Sequence, residues 1–246
     1  MSWSRKVALR ACWMALALVA CAPESDDLPR LTPDAGGDAA PAASGCKRTG
    51  PGPRSIADVV ALLNELPHPV TLPCLVEALP HPLAIHAIDS VFSAQPAVGE
   101  RSPRIFLFLD PLMLSIVPEG SGGHLLEFGE RRTQLHTLKA ELEFPITAEL
   151  GPTAPYDRLP FNEQASTCGF CHGEEEQAED IAHPFARVSR ALKPMAAQRV
   201  AIEALRAELR ACDAVSEPER CALLEAVFAG GAVTERAFPA EWKMFF

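Results

Sequence analysis

The chain has 246 residues, with 22 basic against 32 acidic side chains, a formal net charge of −10 with histidines neutral, and eight cysteines. A balance this acidic is repelled by nucleic acid and by anionic membrane surfaces, so neither is expected as a binding partner. No G-x-S-x-G, P-loop, dinucleotide-binding or zinc-protease motif occurs, which argues against the common hydrolases and nucleotide enzymes.

Residues 1–10 carry Arg5, Lys6 and Arg10 with no acidic side chain, and residues 11–20 are almost wholly apolar. The apolar run is far shorter than the roughly 18–20 residues of a membrane span, so residues 1–20 read as a signal peptide. It ends Leu18-Val19-Ala20-Cys21, which resembles the lipobox of bacterial lipoproteins. That resemblance implies cleavage before Cys21 and a lipid on Cys21 that attaches the chain to a membrane. Ala22 is not the aspartate associated with inner-membrane retention, so the resemblance points to the outer membrane, periplasmic side. Loss of the leader would leave 19 basic against 32 acidic residues, about −13, and a redox partner would accordingly present a basic face.

Residues 21–53 are rich in Pro, Gly, Ala and Asp without an apolar period and read as a flexible tether. Residues 54–150 open with a helix over 55–66, where Ser55 and Asp58 have capping-box spacing and Ile56, Val59, Val60, Leu63 and Leu66 form a stripe. Pro67 and Pro69 end it, and a short turn over 75–79 follows. The period then changes to that of strands, over 83–91, 105–109, 112–117, 124–128 and 138–144, with a turn at Asp110-Pro111. In the last run Leu138, Ala140, Leu142 and Phe144 should face a core and Lys139, Glu141 and Glu143 should face water. His68, His81, His86, His124 and His136 are scattered without metal-ligand spacing and read as surface or half-buried side chains.

Residues 151–246 contain Thr167-Cys168-Gly169-Phe170-Cys171-His172-Gly173, and with it the C-x-x-C-H pattern of c-type haem attachment. Two intervening residues let the thiols of Cys168 and Cys171 reach two positions on one edge of a porphyrin while His172 comes up beneath the iron. Phe170 would cover the ring. A structural disulfide, a thioredoxin-like redox pair and a zinc half-site completed by His172 or His183 are the rival readings. No βαβ unit supports the second, and zinc would have to accept adjacent Cys171 and His172. The run Glu174–Asp180 reads as solvated surface. A helix is expected over 184–192, another from Pro194 to about 211, and a third over 221–228 behind an S-x-x-E cap at Ser216 and Glu219. Phe238, Trp242, Phe245 and Phe246 should pack back on the body. The second iron ligand would be Met195, which follows Pro194, with His183 or an open position as alternatives.

With Cys12 in the leader, Cys21 lipidated and the motif cysteines on haem, proximity pairs Cys46 with Cys74 and Cys212 with Cys221. The expected fold class is α+β: an antiparallel strand-rich sheet or small sandwich, followed by a small helical module bearing the haem. The C-terminal part looks like a cytochrome c-type module in the haem-binding pattern alone. The tether, the strand-rich stretch with Phe92-Ser93-Ala94-Gln95-Pro96 and Ser102-Pro103-Arg104-Ile105-Phe106, and the late motif together resemble lipoproteins of myxobacteria and their relatives. That resemblance implies an anchored extracytoplasmic protein and no particular reaction. Three functions follow from these readings: a single-haem electron carrier with haem c, a peroxidase-like enzyme with an open iron, or a colourless binding lipoprotein with all its cysteines in disulfides.

Overall fold

The computed structural model describes residues 45–89 and 95–244. The signal peptide, Cys12, Cys21, most of the tether, Phe245 and Phe246 lie outside the described residues. Helix α1 (Ile56–Glu65) forms as its stripe predicts, with Ser55 Oγ accepting from the Asp58 N–H at 3.0 Å and Asp58 returning a carboxylate to the Ser55 N–H. Glu130 adds a second anion at this helix start by accepting from the Ile56 N–H at 2.8 Å. Helix α2 (Leu72–Ala78) is capped by Thr71.

Five strands follow: β1 (Leu83–Ile88), β2 (Arg104–Phe108), β3 (Leu112–Ile116), β4 (Leu125–Arg131) and β5 (His136–Glu143). They form an antiparallel meander, the commonest way for short connections to join neighbouring strands. The chain then supplies α3 (Gly169–His172), β6 (Glu175–Gln177), β7 (Arg187–Arg190), β8 (Leu192–Lys193), β9 (Arg199–Val200), α4 (Ile202–Arg210), α5 (Pro218–Ala229), β10 (Val233–Glu235) and β11 (Lys243–Met244). The main sheet runs β10-β1-β2-β3-β4-β5-β7-β6, with β9 also on β1; β10 is parallel to β1, and β11 pairs only with β8. The fold is α+β, and the C-terminal third builds both edges of the sheet as well as α3, α4 and α5.

One face of the sheet carries Leu107, Leu114, Leu126 and Leu138, all fully buried in a single apolar core with α1, α2 and α5. Alternation in β5 correctly places Leu138, Ala140 and Leu142 in that core and Phe144 just beyond the strand. It fails for Lys139, which is buried rather than solvated, with 7% of its surface exposed. The rule assumes a wet second face, and here the second face is covered by the 159–172 segment, the β8–β11 pair and Trp242.

Other expectations are corrected where tertiary pairing outweighs local pattern. The segment 184–192 is not a helix: Arg187–Arg190 is claimed by the free edge of β5. Pro194 is followed only by a 3-10 turn over Ala196–Gln198 and not by the long helix, because Arg199 and Val200 pair with β1 first and α4 begins only at Ile202. The cap of α5 lies at Glu217 with Pro218 next, while the Ser216 hydroxyl donates to Asp213 instead.

Both expected disulfides are present, Cys46–Cys74 and Cys212–Cys221, closing loops of 28 and 9 residues. Loop-closure entropy makes the first worth about 3–4 kcal/mol and the second about 2–3 kcal/mol. Serine pairs at each site should lower the urea midpoint in that order.

Candidate functional site

Cys168, Cys171 and His172 lie on and beside α3, a single helical turn closed by Gly173 at φ +78°. Glycine suits that conformation because no Cβ meets the backbone there. The turn is held from behind: Ser166 donates both its N–H and its hydroxyl to Glu175, and Ser166 Oγ accepts the Cys168 N–H at 3.1 Å. Gly169 makes that possible, since a Cβ there would fall 3.0 Å from the Glu175 carboxylate. Glu175, expected in a solvated charge run, is thus half-buried and structural.

The thiols of Cys168 and Cys171 are unbonded and half-buried, and with His172 they line a cleft between α3 and the second face of the sheet. The cleft is open to solvent and has a cavity volume of about 130 Å³. Apolar wall comes from Phe106, Leu159, Leu192 and Trp242, whose indole N–H donates to Gln134 O at 2.9 Å. The floor is polar: Arg104 pairs with Glu127 and donates to Ser115, whose hydroxyl donates to buried Gln95. Lys139 projects from the same floor, and burial pushes its ammonium down to about 8.

His172 Nδ1 lies 2.7 Å from Arg190 O. A carbonyl can only accept, so Nδ1 carries the proton and Nε2 keeps its lone pair, the tautomer a metal-bound histidine needs. Burial, and then the nearby Lys139 ammonium, hold His172 well below its ordinary value, so the ring is neutral at pH 7. Burial pushes the Cys168 thiol up to about 11, against the pull of Lys139, and raises Cys171 as well. A thioredoxin-type pair is activated by a depressed thiol; this one is the reverse.

Among the described residues, the one group of three or more His, Cys, Asp or Glu that converges on a cation-sized point is Cys212, Glu217 and Cys221, and its two cysteines are disulfide-bonded. Cys168, Cys171 and His172 do not converge so, which disfavours zinc and suits a group that takes two thioethers at its edge and nitrogen at its centre. Thr137, among the residues that line the cleft, has its Oγ1 buried without a hydrogen-bond partner. Two unbonded thiols and an imidazole with a free Nε2 are the donor set that haem c would require.

The remaining predicted residues are placed elsewhere. Met195 is at the surface and does not line the cleft, although Pro194 and Gln198 do. His183 is tied to Asp157 at 3.1 Å and accepts the Phe185 N–H, outside the cleft. Phe170 points outward, 70% exposed, edge-on to exposed Phe161 rather than over the cleft. Phe238 packs back as expected, edge-on to Phe106, Phe108 and His86. Lys139, Met113 and Glu127 were the missed lining residues; their signal is a set of polar or flexible side chains on the nominally wet face of adjoining strands. Comparison with protein families, curated proteins and solved structures returns no match to any of them. No described helix is long and apolar enough to cross a membrane.

Proposed function

We propose that this chain is a lipid-anchored, single-haem electron carrier working outside the cytoplasm. The observation that carries the reading is His172: its Nδ1 is spent on the Arg190 carbonyl, its Nε2 is free, and two unbonded thiols stand beside it at one wall of an open cleft. Cys168 and Cys171 would hold the macrocycle and His172 would ligate the iron. Haem, when bound, supplies a one-electron couple at the iron.

The chain's own residues set the conditions for that couple. Phe106, Leu159 and Trp242 present apolar surface to the cleft, which would lower the dielectric beside a bound group and make the charges of Arg104, Lys139, Glu127 and Glu141 count for more. The acidic exterior would orient a basic-faced partner and speed encounter at low salt. Attachment through Cys21 would keep the carrier at the outer membrane, on its periplasmic side.

Expression of the full precursor with a cytochrome c maturation system tests this. The expected product is red, retains haem on a denaturing gel and gains the mass of one porphyrin. Cys168→Ala, Cys171→Ala or His172→Ala should abolish or severely reduce covalent haem. A colourless wild-type protein of polypeptide-plus-lipid mass would overturn the proposal.

A further inference from the structure

We infer that Met113 supplies the second axial ligand of the haem, its thioether closing the iron position that His172 leaves free. The inference rests on the haem reading and deepens it. Met113 of β3 pairs with Gly129 of β4, and Gly129 pairs with Lys139 of β5, so the three form one row across the cleft floor. Gly129 leaves an opening in that row. The Met113 methyl lies 3.3 Å from where a Cβ at 129 would stand, so the side chain reaches over the glycine within the cleft.

Chemistry narrows the choice among lining donors. Met113 is half-buried, carries no proton to lose and offers a soft sulfur, the donor that pairs with histidine on high-potential haem c. Met195 and His183, the sequence candidates, do not line the cleft. Methionine's three rotatable bonds let sulfur swing from the glycine to a metal without moving β3.

The full matured chain is compared with Met113→Leu, Met113→His and Met195→Leu. Ferric wild type and Met195→Leu should both show the near-infrared sulfur-to-iron charge-transfer band. Met113→Leu should lose it, keep covalent haem on a denaturing gel and bind carbon monoxide in the ferrous state, which wild type resists. Met113→His, the safeguard against a leucine variant that fails to fold, should keep a low-spin spectrum without the sulfur band and with a lowered potential. A band that survives Met113→Leu, or disappears in Met195→Leu, would overturn the assignment. So would a haem-bearing wild type that never shows the band, with the haem reading left standing. A colourless wild type removes both claims.

Discussion

Replacing Lys139 by methionine is expected to stabilise the chain made without haem by about 3 kcal/mol at pH 7. The folded ammonium titrates near 8 because burial opposes its charge, against an ordinary value of 10.5. Below pH 8 both folded and unfolded chains hold the proton, and the folded state bears the whole penalty. Between pH 8 and 10.5 the unfolded chain keeps a proton that the folded one has released, so wild-type stability gains from rising pH through this group. Above 10.5 the penalty is gone. The stability difference between Lys139→Met and wild type should therefore shrink from about 3 kcal/mol to near zero across that window. Tyr156, pushed up to about 12 by burial, costs stability at alkaline pH in both proteins and cancels in the comparison; Cys168, pushed up to about 11 by burial and pulled down by Lys139, does not, so both proteins carry Cys168→Ser. Urea unfolding from pH 7 to 10.5, on protein exported in a host without haem-attachment machinery, measures it. A difference that stays flat with pH would mean that Lys139 reaches water.

Arg220→Ala is expected to be strongly destabilising at a position away from the cleft. The Arg220 side chain is 2% exposed and pairs with Glu208 on α4 and Glu217 at the start of α5, while donating to Arg101 O before β2. One guanidinium thus ties the disulfide-closed helix pair to the sheet. Its loss strands an acceptor and leaves a cavity. The expected cost is about 3 kcal/mol, the low end for breaking a buried pair, since the two carboxylates keep partial access to water. Arg220→Lys, which keeps the charge but cannot reach all the acceptors, should lose distinctly less. Equal losses from alanine and lysine would show that geometry alone matters.

Local chemistry was readable where it acts locally. Ser55 and Asp58 announce α1 because a capping box involves only neighbouring residues, and the core side of β5 follows from strict alternation at Leu138, Ala140 and Leu142. The two disulfides were readable because Cys168 and Cys171 were set aside for another role. What could not be read depends on partners distant in sequence. Val188 and Ser189 form a strand only because β5 has a free edge, and four residues are too few for periodicity to decide. Lys139 is buried only because α3 and Trp242 return over it. The motif identified one wall of the cleft, but Met113 and Glu127 of the floor carry no signature until the register of β3, β4 and β5 is known.

The wall contributed by Trp242 comes from a stretch some seventy residues beyond the motif it faces. β11 joins β8 through Lys243 and Leu192, and Lys193 donates to Ala240 O. Under the proposed haem reading, undocking of this pair would open the far side of the trough while leaving Cys168, Cys171 and His172 in place.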